Sequence, residues 1–424
     1  MKLLHAADVH LDSPLRGLER YEGAPTGEIR GATRRALEGL VDLAIAESVA
    51  LVLLAGDLYD GDWKDYNTGL FFVGQMARLR EAGIRAFLIA GNHDAASQIT
   101  KLLHPPPNVH VFATQAPETV VLEDLGVAIH GQGFATRAVS EDLTRAYPLA
   151  HPDLFNIALL HTSLDGRPGH QTYAPCSLDS LRSRGYQYWA LGHVHRHEIV
   201  AQEPWVVFPG NTQGRHARET GPKGCCLVEL EDGQVRRVEH RPLDLVRWAT
   251  CPVGLADATS LVEVYDRVGL ALSTAVEQAE GRLAATRIRL IGPCEIDARL
   301  RAQREQVVNE CRALASTLGA GDLWLEKVLI ETHRTQSEAE ALARDDAFGA
   351  LLRSIRDLEL DPNRLATLGE ELADLSAKLP LELRTGEEPW DPRSPEALRD
   401  CLEDVRALLL ERLLGREAGR EGTP

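Results

Sequence analysis

No apolar stretch in this sequence approaches the roughly 20 residues needed to span a bilayer, which sets aside a helical membrane protein. No leader is expected either, because Met1 runs straight into an apolar segment ending at Asp8 and leaves no room for a signal peptide. Cysteine is sparse. The seven residues are odd in number and lack paired spacing, so reduced thiols in a cytoplasmic protein are expected rather than a disulfide framework. Cys225 and Cys226 are neighbours on an expected strand, where successive side chains face opposite ways, and packing is their expected role. Positive charge is also short: 46 Lys and Arg against 63 Asp and Glu leave a net charge of −17. Such a balance is awkward for a nucleic-acid enzyme, since phosphate contacts come mainly from Lys and Arg. The excess is unevenly spread, however. Residues 336–424 hold 12 basic and 21 acidic side chains, a net of −9, whereas residues 151–335 come to only −2.

What is present is an ordinary globular composition, 44% hydrophobic and 26% charged, over 424 residues that can hold two or three domains. Set into it are five short clusters: Asp8/His10, Asp57/Asp60, Asn92/His93/Asp94, His161 and His193/His195. Each follows an apolar run that reads as a β-strand. Lys2 to Ala7 leads into the first, Leu51 to Ala55 into Gly56-Asp57, and Arg85 to Ala90 into Gly91-Asn92-His93-Asp94. Ile157 to Leu160 leads into His161, and Tyr186 to Leu191 into Gly192-His193-Val194-His195. Ligands collect at the carboxyl ends of strands in α/β sheets, so clusters nearly two hundred residues apart can converge on one crevice.

The residue types suit two-metal phosphoester hydrolysis. A phosphodiester is anionic and resists attack by water, and two cations roughly 3.5–4 Å apart clamp its oxygens and acidify a water. Asp57, with two carboxylate oxygens and Gly56 beside it, is the natural bridging ligand. Imidazole and amide ligands such as His161 and Asn92 complete the shells without adding charge that would repel phosphate. Mixed carboxylate and imidazole ligation suits Mn²⁺, Fe²⁺ or Zn²⁺ over Ca²⁺. Any one cluster also reads as a surface turn or a satisfied core histidine; their joint occurrence after five strands leaves that reading little room. His5, His130, His197 and His216 lack such support, and His5 and His130 are read as packed strand residues.

Three regions are expected. Residues 1–242 alternate strands with helical stretches at 31–48 and 67–82, the pattern of an α/β domain. Residues 243–335 read as helix (260–279), strand (286–291), helix (297–318) and strand (323–332), a small α/β cap. Residues 336–424 read as helical, with starts marked by Ser337 with Glu340, Asp361-Pro362 and Ser394-Pro395. Leu365, Leu368, Leu372, Leu375 and Leu379 make a heptad seam, and Leu398, Leu402, Val405, Leu409 and Leu413 repeat it more loosely. An ordinary helical bundle explains such seams, and so does a docking surface for a partner's coiled coil.

The D-x-H, G-D-x-x-D, G-N-H-D, H and G-H-x-H series resembles the calcineurin-like metallophosphoesterase superfamily and, within it, the SbcD-type DNA repair exonuclease subunits. The run from His5 to Leu18 and the stretch from Pro209 to His216 are similar to the bacterial YhaO branch. The resemblance implies a four-layer αββα sandwich followed by a cap that helps position DNA. It implies one metal on Asp8, His10, Asp57 and His195 and another on Asp57, Asn92, His161 and His193, with Mn²⁺ favoured. His93 would protonate or stabilise the leaving oxygen and Asp60 would orient His93, although many double-strand-break nucleases of the family have histidine at that place. It further implies an SbcC-like ABC-type ATPase with long coiled coils, docked on carboxyl-terminal helices, and homodimers in some members. Loops beside the motifs supply candidate DNA contacts at Arg16, Arg20, Arg215, His216 and Arg218, which otherwise read as solvated polar loops. The expected activity is a two-metal DNA exonuclease. The rivals are a small-molecule phosphodiesterase, against which some 180 residues beyond the catalytic domain speak, and an inactive scaffold for an ATPase, which has no need of an intact ligand set.

Overall fold

The computed structural model describes residues 1–13, 23–60, 66–96, 105–166, 173–319 and 321–333, and, with gaps, residues 343–405. The chain begins with β1 (Lys2–Ala6), α1 (Thr26–Ala46), β2 (Leu51–Ala55), α2 (Tyr66–Glu81), β3 (Arg85–Ile89), α3 (Asn92–Ala96) and β4 (Val109–Val111). Strands β1 to β4 run parallel in sequence order. All five residues of β2 are buried, as expected for a strand covered on both faces. Its alternation sorts the two covers. Leu51 and Leu53 join a core with residues of a second sheet, whereas Val52 and Leu54 meet the helices. The buried stripe of α1, Ile29, Ala32, Ala36, Leu37, Leu40, Val41 and Ala44, follows the three-and-four spacing of an amphipathic helix.

The second sheet takes its strands from β5 (Glu118–Leu122), β6 (Val127–Gly131), β7 (Phe155–His161), β8 (Tyr188–Gly192), β9 (Glu198–Gln202) and β10 (Trp205–Phe208), in the order β5-β6-β7-β8-β10-β9. Its inner face presents Ile129, Ile157, Leu159, Tyr188 and Val207 to Leu3, Leu53, Phe87 and Ile89 of the first. Its outer face, with Leu160, Trp189 and Phe208, packs on Tyr147, Leu181 and Tyr186. The outer cover here consists of short pieces, a 3₁₀ turn (Leu143–Ala146) and a helix (Leu178–Arg182). The layers are therefore helices, sheet, sheet and short helices, an αββα arrangement. The chain then returns to the first sheet: β11 (Gly224–Glu231) pairs antiparallel with β1, and β12 (Gln234–Pro242) extends the edge. Cys226 packs between the sheets and Cys225 on the helical side, as their adjacency on a strand requires.

Contacts divide the chain into two units. One comprises Met1–Thr250, Thr274–Arg287 and Gly319–Glu326, the other Cys251–Ser273, Ile288–Leu318 and Lys327–Pro424. Strands β13 (Val246–Gly254), β14 (Leu283–Pro293) and β15 (Leu323–His333) form a three-stranded sheet, with helices at Leu261–Ala279, Asp297–Ala302 and Arg304–Gly319. The single helix expected over 297–318 is two, interrupted at Gln303. The strand β13 was not expected from the sequence, whose periodicity there is obscured by Thr250, Cys251 and Pro252.

In the tail, Asp361 caps the helix Pro362–Glu371 by accepting from the backbone N–H groups of Asn363 and Arg364. Ser394 accepts from Ala397 N at 3.5 Å, and residues 395–402 are helical. The Ser337/Glu340 start and Leu375, Leu409 and Leu413 lie outside the described residues. Leu365 is fully buried, Leu398 nearly so, and a Cβ added at Gly369 would touch Arg393 and Leu398. Internal packing thus claims part of the leucine seam. No helix among the described residues is long and apolar enough to cross a membrane.

Candidate metal centre

The strand ends deliver the five clusters to one place because the loops beyond them zip together. Past β1 and β2 the backbone N–H groups of Asp8, His10 and Leu11 donate to the carbonyls of Gly56, Asp57 and Leu58 at 3.0, 3.0 and 2.9 Å. Four of the expected ligands, Asp8, His10, Asp57 and His193, hold positive φ angles of 51, 44, 51 and 99°. Non-glycine residues adopt that region only where the surroundings impose it, and functional sites are where it concentrates. Asp94 supplies part of the constraint. Its buried carboxylate accepts from Leu58 N, Tyr59 N and Gly91 N at 3.1, 2.9 and 3.0 Å, clamping the second loop to the third. Burial and then the neighbouring Asp57 charge push its pKa up to about 6. Gly91 is required here, since a Cβ would collide with the Asp57 carboxylate.

Asp57 sits at the centre. Its Oδ1 accepts from His93 N at 2.8 Å, and its Oδ2 lies 3.4 Å from His161 Nε2 and 4.0 Å from His10 Nε2. On one side His10 Nε2 faces His195 Nε2 at 3.2 Å, and His195 Nε2 is 3.7 Å from Asp8 Oδ1. On the other, His161 Nε2 faces Asn92 Oδ1 at 3.0 Å. The His193 ring packs edge-on against His161, with centroids 5.3 Å apart, and its backbone N–H donates to Asp8 Oδ2 at 2.9 Å.

The chemistry of these donors fits divalent cations. His195 Nδ1 lies 2.7 Å from the Glu219 carboxylate and so carries the ring proton, which leaves a lone pair on Nε2. His161 Nδ1 donates to Ala55 O at 2.9 Å, and its Nε2 faces the oxygens of Asn92 and Asp57, which call for a positive charge there, either a proton on that nitrogen or a cation that takes its place. Buried lone pairs facing one another without a shared proton are costly unless a cation lies among them. Their separations match the roughly 3.4 Å expected between tetrahedral ligands with metal bonds near 2.1 Å. Burial alone would depress His161, but Asp57 and Asp8 outweigh it and push its pKa up to about 9; a cation answers the same negative field. Among the described residues, three carboxylate and imidazole groupings have ligand atoms close enough for an ion: Asp8/His10/His195, Asp8/Asp57/His161 and His10/Asp60/His93.

His93 is more exposed than the expected ligands around it. Its Nδ1 is 2.8 Å from Asp60 Oδ1, its ring lies edge-on to His10 at 4.8 Å, and it remains 28% exposed. Burial lowers its pKa, yet Asp60 and Asp57 more than reverse this and raise it. Asp60 also accepts from Ser13 Oγ at 2.6 Å.

The expected DNA contacts fare differently from one another. Arg16 and Arg20 lie outside the described residues. Arg218 is exposed on its loop, while His216 Nε2 is 3.7 Å from Glu219. Arg215 turns inward: 13% exposed, it reaches Glu219 Oε1 at 3.1 Å and Asp60 Oδ2 at 3.5 Å. His5 bonds Tyr188 Oη and Leu191 O, and His130 bonds Thr119 and Asn156 while stacking on Tyr186. Both are packed strand residues, as expected. Sequence reasoning missed Glu219 and the bracing role of Asp94. Glu219 lies in a loop with no local pattern; its position four residues after Arg215 was the only signal, and it pointed to an ion pair rather than to His195.

A family described as calcineurin-like phosphoesterase matches residues 1–197, and one described as the middle domain of metallophosphoesterase YhaO matches residues 248–333. A Bacillus subtilis protein described as an uncharacterized metallophosphoesterase YhaO is 35% identical over 272 residues, 63% of this chain and 66% of that one. Two proteins described as DNA double-strand break repair protein Mre11 are each 26% identical. The one from Sulfurisphaera tokodaii aligns over 58% of this chain and 63% of its own length, and that from Methanopyrus kandleri over 59% and 58%. The chain thus spans a little under two thirds of these relatives at most. With the αββα sandwich and the donor cluster at its strand ends, these matches show that the chain carries a calcineurin-like metallophosphoesterase domain followed by a YhaO-like middle domain.

Proposed function

We propose that the protein is a metal-dependent DNA exonuclease that acts in DNA repair in the cytoplasm. The observation that carries the reading is the His93–Asp60 pair at 2.8 Å beside the Asp57-centred donors, a proton donor set next to a candidate cation centre. The likeness to proteins named for double-strand break repair supports DNA as the substrate class.

Asp8, His10, Asp57 and His195 would hold one divalent cation, and Asp57, Asn92, His161 and His193 the other. When bound, the pair, Mn²⁺ in preference to Fe²⁺ or Zn²⁺, neutralises phosphate charge and supplies an acidified water. The chain does the rest. Asp60 fixes the His93 ring through Nδ1, leaving Nε2–H to protonate the sugar oxygen as the bond from phosphorus to that oxygen breaks. His93 ends neutral, still donating from Nδ1 to Asp60. Arg16 and Arg218 are assigned to the DNA backbone. The helical tail is assigned to an SbcC-like coiled-coil ABC-type ATPase, supported by the heptad leucines and by exposed Leu351 and Val405. Family precedent supports a homodimer.

The test is cleavage of end-labelled duplex DNA with Mn²⁺, beside His93→Ala and Asp57→Ala. Wild-type cleavage reduced about 10²–10⁴-fold in His93→Ala, as for loss of a positioned acid, is the expected result. Hydrolysis of cyclic nucleotides or bis(p-nitrophenyl) phosphate with DNA spared would replace DNA by a small-molecule substrate, and no hydrolysis with metal and ATPase partner present would leave a scaffold.

A further inference from the structure

Glu219 and Arg215 belong to none of the five clusters, yet they join the two halves of the centre. Glu219 is 6% exposed, and each of its oxygens is committed. Oε1 lies 2.7 Å from His195 Nδ1 and 3.1 Å from Arg215 Nη2, while Oε2 accepts from Arg215 N at 2.7 Å and Asn211 Nδ2 at 3.0 Å. Burial would raise this carboxyl, but Arg215 and His195 hold it well below the ordinary carboxylate range. Arg215 Nη1 continues to Asp60 Oδ2 at 3.5 Å, and Asp60 Oδ1 meets His93 Nδ1 at 2.8 Å. The path runs unbroken from His195 through Glu219, Arg215 and Asp60 to His93. Lys223, 5% exposed, donates to His195 O at 2.6 Å and holds the same residue from its backbone.

We propose that Arg215 and Glu219 are positioning residues that tie the metal ligand His195 to the His93–Asp60 pair, so that one buried ion pair sets the orientation of both. This rests on the metal and acid roles assigned above. Glu219 fixes the His195 tautomer with Nε2 free to ligate, which is how a carboxylate behind a ligating imidazole raises its basicity. Arg215 does not reach DNA in this account. Its fork spans two carboxylates that would otherwise repel each other, and it holds Asp60 in register with His93. Lysine, a point charge on a flexible stem, cannot span both.

The two roles separate in one experiment on the full chain. Mn²⁺ binding is measured by calorimetry for wild type, Glu219→Gln, Arg215→Gln and Arg215→Lys, with circular dichroism to confirm folding. Rates are compared on duplex DNA and on bis(p-nitrophenyl) phosphate, whose weakly basic leaving group needs little protonation. Glu219→Gln is expected to weaken Mn²⁺ binding about 10–100-fold. Arg215→Gln is expected to slow DNA cleavage about 100-fold but bis(p-nitrophenyl) phosphate hydrolysis under about 3-fold, without changing the salt dependence of DNA binding. Arg215→Lys, which keeps the buried charge should the glutamine variant fail to fold, is expected to bind the metal as wild type does and to cleave DNA as slowly as Arg215→Gln.

Wild-type metal affinity in Glu219→Gln, or equal slowing of both substrates in the arginine variants, overturns the proposal. A salt slope reduced by about one in Arg215→Gln overturns it in favour of a phosphate contact. If wild type spares DNA, the DNA reading fails while the Glu219 result still stands on Mn²⁺ binding; if wild type binds no Mn²⁺, the metal reading itself fails.

Discussion

Asp57 is held so that its two oxygens do different things, one bonded to the His93 backbone and the other facing His161 and His10. That division depends on the loops around it keeping their shape, and Gly91 shows how little room they leave. Substituting Gly91→Ala drives a methyl into the Asp57 carboxylate and backbone. The expected outcome is Mn²⁺ affinity lowered at least about 10-fold, as for other disturbances behind a ligand, with the fold retained; wild-type affinity by titration calorimetry would show that the loop relaxes. Arg218 offers an independent check on substrate, because it stays at the surface. Arg218→Ala should weaken DNA binding uniformly across sequences and reduce the slope of log affinity against log salt by about one, and an unchanged slope would move the DNA path elsewhere. At this scale the candidate ligands were legible because carboxylate, imidazole and amide residues follow apolar runs. Glu219 and the bracing by Asp94 were not, since a carboxylate's partner across the fold leaves no trace in its neighbours along the chain.

Elements were legible where periodicity was clean. The stripe of α1 and the continuous apolar run of β2 could be read directly; β2 has the expected bounds, whereas α1 starts five residues before the expected 31 and ends two before the expected 48. The return of β11 to lie antiparallel beside β1, in register Lys2 with Glu229, could not. Strand pairing over such a span is decided by the shared core rather than by local pattern. His5 illustrates what the pairing of sheets costs and gains. It stands on β1 and bonds Tyr188 Oη and Leu191 O of β8, joining the two sheets through neutral imidazole. Burial depresses its pKa to about 3. A histidine whose folded pKa is lowered binds its proton first in the unfolded chain, near pH 6.5, so stability falls as pH drops from there toward the folded value. Thermal melts in chelator from pH 7 to pH 4 should show the wild type losing roughly 3 kcal/mol more than His5→Gln, which keeps an amide for the bonds and cannot titrate. Parallel curves for the two would mean that His5 is solvated or charged in the fold.

Over the whole molecule, the charge of −17 turns from an objection into a distribution. More than half lies in residues 336–424, and the buried carboxylates Asp8 and Asp57 stand where cations are called for. The order of strands and helices was sufficient to anticipate an α/β domain, while the αββα layering was anticipated only through the resemblance to the metallophosphoesterases. The outer layer of the second sheet was not anticipated in detail, since a five-residue helix and a 3₁₀ turn are too short to show a period. Everything assigned to the chain's chemistry rests on one claim, that the strand-end donors hold two divalent cations sharing Asp57. Titration of the full chain with Mn²⁺, followed by calorimetry and by electron paramagnetic resonance, tests it most directly. Two ions per chain with a spin-coupled signal, and loss of the coupling in Asp57→Ala, are the expected result; a single ion, or two uncoupled ions unaffected by that substitution, would rule out the shared centre.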